Sequence, residues 1–291
     1  MIGIGANGLA ERSMTNPALQ EVIALLGHPA AGTPAQYLFE RVVVGDSLDW
    51  RFVTLEVEPE RLGEALIGLE AMNFRGCLLA GSLRQPAAKL LPAISPAAQF
   101  AGGCSLVERT PDGLFGHLTI GRGVLEAIRL HTDPTATPVV IVGSGLLARA
   151  TSLELSLAGV PEIIVADPWD DCGESLVAAI AGIEGGRATL LPNEPDLLIP
   201  ERAGLVVVAD DQRPFPVSCS LAGLREDLVV VDASLEPKAS PVLEAAVAAR
   251  ACRVDGLEVA TAVIAIDFQR LTGIEADADL LRDALDEFLD C

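Results

Sequence analysis

The sequence predicts an α/β protein, with a smaller N-terminal α/β unit followed by a doubly wound unit on a parallel sheet. Two observations lead to that class. Apolar runs of strand length, such as residues 205–209 and 228–232, recur along the second half and alternate with segments of helical period. Half of the 291 residues are hydrophobic while only 4% are aromatic, so a large core must rest on Leu, Val, Ile and Ala. The length suits two domains of ordinary size. The predicted boundaries are 1–133 for the first domain, 134–256 for the second domain, and 257–291 for helices closing back towards the first. The polar segment 131–138 (HTDPTATP), with its two prolines, marks the junction.

Taken in order, residues 1–20 show no clear periodicity, and 21–27 (EVIALLG) read as a strand followed by a loop, 28–33. Pro34 suits the first turn of a helix, 35–44, with Tyr37, Leu38 and Val42 on one side. Residues 50–57 form a second strand by β-branched and aromatic content. Glu58-Pro59 opens a helix, 60–72, whose stripe is Leu62, Ala65, Leu66 and Leu69. A third strand, 77–80, precedes a short helix opened by Pro86 that carries Lys89. Strands 104–108 and 114–118 flank Pro111-Asp112-Gly113, a hairpin signal, and Gly121-Arg122-Gly123 starts a helix through Leu130. After residue 167 come a helix 172–183, a strand 187–191, the two buried runs, a helix 241–250, a strand 252–254, and helices 257–271 and 277–289.

The most informative stretch is 139–167. Val139 to Val142 read as a buried strand, and Gly143-Ser144-Gly145-Leu146-Leu147-Ala148 turns the chain into an apolar-periodic helix ending near Gly159. A second strand, 163–166, delivers Asp167 at its carboxyl end. This is the G-x-G-x-x-A form of the dinucleotide fingerprint, which makes the second unit a Rossmann domain. Gly143 permits the tight turn, Gly145 lets backbone approach a pyrophosphate, and Ala148 allows close helix–strand packing. Free N–H groups and the dipole at the helix start hold phosphates. Asp167, 22 residues after Gly145, is placed to bind both ribose hydroxyls. A carboxylate there repels a 2′-phosphate, and Pro168-Trp169-Asp170-Asp171 offers no Arg or Lys to receive one, so NAD is expected over NADP.

Composition narrows the partners. A formal charge of −21 argues against nucleic acid and anionic membrane surfaces. Lys89 and Lys238 are the only lysines. The six cysteines form no C-x-x-C and no Cys/His cluster, so buried thiols in a reducing cytosol are expected, without disulfides or a metal site. No basic-then-apolar leader and no run of membrane-spanning length is present, so a cytoplasmic protein is expected.

Several local signatures resemble shikimate/quinate dehydrogenases, in order and spacing, from about Val22 to Leu289. They are Gly27-His28-Pro29 followed by Thr33-Pro34, Phe74-Arg75-Gly76, the Pro-Asp-Gly hairpin, Gly121-x-Gly123 and the fingerprint. Asp232 with Pro237 and Ser240-Pro241, then Asp255-Gly256 and Leu271-Thr272-Gly273, complete them. The resemblance implies two α/β domains around a cleft. The first binds a hydroxylated cyclohexene carboxylate and the second a nicotinamide cofactor, with Ala209 and Gly256 added to its contacts. It also implies a Lys–Asp pair for proton transfer, because oxidising an alcohol needs a group that accepts its proton.

The chain departs from that pattern at the substrate. Arg84 stands at the lysine position, Leu78 and Ala80 replace an Asn and a Thr, and Ser105 replaces another Asn. Leu118-Thr119-Ile120 replaces Asn-Thr-Asp, Val263 stands for a Gln, and the Ser-x-Ser-Pro loop is shortened to Gly32-Thr33-Pro34. Val208-Ala209-Asp210 replaces Asn-Ala-Thr. Arginine stays protonated and isoleucine cannot ionise, which argues against ordinary shikimate oxidation. Candidates for a replacement catalytic group are Arg84, Lys89 and His117, with His28 a further acid or base candidate by residue type. Thr33, Tyr37, Arg84, Ser105 and Thr119 are the candidate cleft residues, for a small-molecule ligand of hydroxylated-carboxylate kind. Two readings follow: an NAD(P)-dependent oxidoreductase with an altered cleft, or a non-catalytic nucleotide-binding sensor or scaffold. Either is compatible with a monomer or a homodimer.

Overall fold

The computed structural model describes residues 20–30, 33–45, 48–169, 172–194, 196–210, 220–233 and 240–290, the side chains of 289 and 290 excepted. The first sheet takes its strands from the N-terminal half. They are β1 (Glu21–Gly27), β2 (Trp50–Glu56), β3 (Gly76–Leu79), β4 (Ala93–Ile94), β5 (Leu106–Thr110) and β6 (Gly113–His117). Helices α1 (Ala35–Gly45), α2 (Leu62–Ala71), α3 (Arg84–Leu90), α4 (Pro96–Ala101) and α5 (Ile120–Arg129) connect them or follow them. Their order is β2-β1-β3-β5-β6-β4. Only β5 runs against its neighbours, so the carboxyl ends of β1, β3 and β6 and the start of β5 share one edge.

The second sheet is wholly parallel. It contains β7 (Val139–Val142), β8 (Ile163–Ala166), β9 (Ala188–Leu190), β11 (Leu205–Val208), β13 (Val229–Asp232) and β14 (Cys252–Val254), in the order β14-β13-β11-β7-β8-β9. Helices α6 (Leu146–Ala158), α7 (Gly173–Ala181) and α8 (Pro241–Ala248) cross between strands. The strand order reverses between β7 and β11, and in such sheets ligands bind outside the carboxyl ends at that point. Short β10 (Asp196–Leu198) and β12 (Ser220–Ala222) pair separately. Helices α9 (Gly256–Thr272) and α10 (Ala278–Asp290) end the chain and pack on the first sheet. Among the described residues no helix is long and apolar enough to cross a membrane, and no His, Cys, Asp and Glu group is arranged to hold a metal.

Alternation along the strands divides the core. Val139, Ile141, Val165 and Val207 face one apolar cluster, which also includes Ala24, Leu26 and Leu79 of the first sheet. Val140, Val142, Ile164 and Val206 face another, closed by α8. The opposite face of the first sheet carries Ile23, Leu25 and Phe52 under α1, α9 and α10, where Phe39 and Phe268 pack with ring centroids 5.5 Å apart. Each such buried ring contributes about 2 kcal/mol.

Helix α5 lies between α6 and α9, and its two glycines explain how closely. A Cβ at Gly121 would stand 2.3 Å from the Ala150 carbonyl of α6, and one at Gly123 would stand 2.2 Å from Val263 Cγ2 of α9. Two residues of helix rotate the direction by about 200°, so the pair opens both sides of α5 to a neighbour.

Four details differ from the sequence expectations. Helix α3 begins at Arg84, two residues before Pro86, which sits in the first turn where no acceptor awaits its missing N–H. The segment 60–72 is a 3-10 turn, Pro59–Arg61, followed by α2. Strand β5 begins at Leu106, leaving Cys104 and Ser105 as its approach. Buried thiols were expected throughout, but among the described residues only Cys77 and Cys104 are buried; Cys172 and Cys252 are exposed, at a helix start and on an edge strand.

Candidate functional site

The turn after β7 is built for close approach. Gly143 has φ +121 and donates its N–H to the Ala166 carbonyl at 2.8 Å, and a Cβ on it would press to 3.0 Å from the Ala209 carbonyl oxygen. Gly145 precedes α6 and has open space where a side chain would be, with no atom within 4 Å. The first intrahelical bond there is Arg149 N to Gly145 O, so the amides of Leu146, Leu147 and Ala148 precede any helical acceptor. Their side chains are buried, which fixes the turn while its polar end stays available. Open space, free amides and the positive helix end together fit a phosphate group.

Asp167 leaves β8 beside this turn and is 6% exposed. Its Oδ2 accepts from Ser144 Oγ at 2.8 Å, from Cys172 N at 3.0 Å and from Gly173 N at 2.9 Å. One carboxylate oxygen therefore ties the glycine turn to the start of α7. Residues 170 and 171, part of the segment read for cofactor choice, lie outside the described residues, as does Gly32. Ala209 is fully buried behind the turn, its N–H bound to Val142 O, and Gly256 is buried at the first position of α9, after the capping carboxylate of Asp255.

A second polar group lies at the carboxyl edge of the first sheet. Ser105 Oγ and Thr119 Oγ1 are 2.9 Å apart, the Thr119 N–H donates to Ser105 Oγ at 3.0 Å, and Thr119 Oγ1 donates to Asp267 Oδ1 at 2.6 Å. Asp267 comes from α9 and is only 3% exposed. Burial pushes its carboxyl up to about 7, against the opposing pull of the Thr119 hydrogen bond and of the positive charges on Arg84 and Arg270. Arg84 holds its own position through Nε to Leu79 O at 3.0 Å, and its carbonyl accepts from Cys104 N. The adjoining Gly103 lies against Leu146 at the start of α6, so this edge meets the dinucleotide turn.

The remaining candidates separate. His117 stands 3.1 Å from Glu108 Oε2 and 3.5 Å from Arg270 Nη1, its ring tilted against Phe115 with centroids 4.7 Å apart. Burial and the Arg270 charge lower its basicity, partly offset by Glu108. Lys89 is exposed on α3, and His28 is exposed, with Nδ1 3.4 Å from Glu56 Oε1. Tyr37 donates its hydroxyl to Glu287 of α10 at 2.7 Å, and Thr33 donates to the Ala30 carbonyl within its own loop. Leu78 and Ile120 are core residues, while Val263 packs against α5. Thus the structure joins Arg84, Ser105 and Thr119 into one group, leaves Lys89, Thr33 and Tyr37 out of it, and adds Asp267 and Arg270. The signal for Asp267 was available: with Ile264 and Leu271 it falls on the buried stripe of α9, where a lone carboxylate is out of place.

No family model matches the chain. Shikimate dehydrogenase (NADP(+)) of Methanopyrus kandleri is 27% identical over 289 residues, covering 95% of this chain and 99% of that one. Among solved structures, ligand-free 5-ketofructose reductase of Gluconobacter sp. strain CHM43 superposes with a TM-score of 0.85 at 23% identity, covering 93% of this chain and 99% of the other. Shikimate 5-dehydrogenase from Listeria monocytogenes, in complex with shikimate and NAD, gives 0.80 at 23% identity over 91% and 96%. The fold is theirs throughout. Near-complete coverage in sequence, along with this shared architecture, supports membership of the shikimate/quinate dehydrogenase family.

Proposed function

We propose that this chain is an NAD(P)-dependent oxidoreductase, with NAD favoured, acting on a small hydroxylated ligand other than by ordinary shikimate oxidation. The observation that carries the reading is the Ser105–Thr119–Asp267 chain, an ionisable carboxyl poised near neutrality at the sheet edge that meets the dinucleotide turn. A nicotinamide nucleotide, when bound, supplies the hydride acceptor. The amides at Leu146 to Ala148 would hold its pyrophosphate, and the Asp167 carboxylate would favour free ribose hydroxyls over a 2′-phosphate. Proton transfer then falls to Asp267, which can take a proton at Oδ1 through the Thr119 hydroxyl. Arg84 stays charged and serves as an anchor for a carboxylate or a polarised oxygen. His117, held by Glu108, is the alternative acid or base. The names of the curated relatives specify NADP(+), and the Asp167 carboxylate is the reason for expecting a different choice here.

Calorimetric titration tests the cofactor: NAD should bind more tightly than NADP, and Asp167→Ser should narrow the gap, whereas equal affinity of the wild-type protein for both refutes the preference. Reduced-nicotinamide absorbance with shikimate, quinate, 5-ketofructose and a wider set of hydroxy acids and polyols tests turnover. Slow or no turnover with shikimate and quinate, and turnover of another compound that Asp267→Asn abolishes, is the expected result. Silence across the set while NAD still binds favours a nucleotide-binding sensor, the reading that the apolar burial of Ile120 supports.

A further inference from the structure

Away from the dinucleotide turn, the fold brings together three residues that the sequence keeps apart. His131 follows α5, Cys252 lies on the edge strand β14, and Glu258 sits in the first turn of α9. His131 Nε2 is 2.7 Å from Glu258 Oε2, and His131 Nδ1 is 3.7 Å from Cys252 Sγ. The short contact to Glu258 fixes the proton on Nε2 and turns the lone pair of Nδ1 towards the thiol. Glu258 is 11% exposed on its side chain and is backed by Arg282 at 3.9 Å, while Cys252 is exposed. This is the order of parts that makes a nucleophile: a thiol, a base within reach of its proton, and a carboxylate that orients the base. A surface cavity of ≈ 450 Å³, lined by residues 129–135, opens beside the imidazole.

We propose that Cys252 is a built nucleophilic thiol, a modification site for small-molecule disulfides, with His131 as its base and Glu258 as the residue that orients His131. In the step, Cys252 Sγ–H gives its proton to His131 Nδ1 as the sulfur attacks one sulfur of RS–SR. The RS–SR bond breaks, a Cys252–S–S–R bond forms, and the departing RS⁻ takes the proton to leave as RSH. Cys252 is oxidised, and the released thiol carries the reducing electrons.

The chain contains its own controls. Cys77 and Cys104 are buried, and desolvation pushes both thiols up to about 12, out of the reactive range. Cys172 is exposed too, but among the described residues no hydrogen bond or ion pair is made by its sulfur. The site is also independent of the nucleotide reading, since none of its three residues belongs to the glycine turn or the Asp267 chain.

The test is the rate of modification at neutral pH of the full-length protein, resolved by peptide mass spectrometry for each cysteine, with iodoacetamide and then oxidised glutathione as probes. Cys252 should react about tenfold or more faster than Cys172 with either probe. His131→Gln and Glu258→Gln should remove that advantage while leaving the Cys172 rate unchanged, which also reports that the fold is intact. Equal rates at the two cysteines in the wild-type protein, or an undiminished Cys252 rate in His131→Gln, overturn the proposal.

Discussion

Replacing Asp267 with asparagine exchanges one oxygen for an amide nitrogen and leaves an oxygen to accept from Thr119 Oγ1 at the 2.6 Å position. The effect on stability follows from where the proton sits. In the unfolded chain this carboxyl ionises near its ordinary 3.8, whereas in the folded chain it holds its proton up to about 7. Between those values the folded state binds more protons, so each rise in pH weakens it, and above about 7 the loss is complete. The gap between 3.8 and about 7 is worth roughly 4 kcal/mol at 1.36 kcal/mol per pH unit. Urea denaturation of both proteins from pH 4 to pH 8 measures it, because every other ionisable group cancels in the difference. The wild-type protein should lose about 4 kcal/mol relative to Asp267→Asn across that range. Parallel stability curves would mean that Asp267 ionises as an ordinary carboxylate, and the proton-carrying role proposed for it would fall.

Other substitutions separate stability from binding. Gly145→Ala adds a methyl group where nothing lies within 4 Å and trades a good helix cap for a poor one, so stability should fall by only about 1 kcal/mol while NAD affinity falls roughly tenfold; unchanged affinity would place the phosphates elsewhere. Gly121→Ala drives a Cβ to 2.3 Å from the Ala150 carbonyl and should cost about 3 kcal/mol in chemical denaturation, a value that a loss below 0.5 kcal/mol would contradict. His117 has the opposite pH sign to Asp267. Its lowered basicity adds stability above the ordinary histidine range that is lost as pH falls through its folded value, so His117→Gln should flatten the acid side of the profile.

Much of the fold could be read from residue order because parallel strands buried on both faces leave uninterrupted runs. Val139–Val142, Leu205–Val208 and Val229–Asp232 stand where such runs begin and end. The two-residue β4 and the three-residue β10 and β12 are too short to show any period. Helix α4 did carry its marks, a Ser95 cap accepting from Ala98 N, Pro96 at the first position and left-handed Gly102 after the end, but six residues give no apolar stripe. The dinucleotide turn was legible because its parts are contiguous. Asp267 was not assigned because its partner Thr119 lies 148 positions away, and only the crossing of α5 with α9 brings them together. His131 and Cys252, 121 positions apart, were hidden for the same reason.

The glycine pair of α5 has a consequence for how such a protein changes its ligand. Spacing between α6 and α9 is set where backbone and small groups touch at Gly121 and Gly123, with no functional side chain involved. Thr119 and Ile120 stand at the mouth of this frame, one bonded to Asp267 and the other buried in apolar core. A frame fixed by bare backbone is indifferent to the chemistry mounted at its mouth. Side chains at positions 119 and 120 can be exchanged without either helix leaving its seat. Substitutions at the mouth can therefore change what the edge presents while the glycine turn after β7 stays as it was.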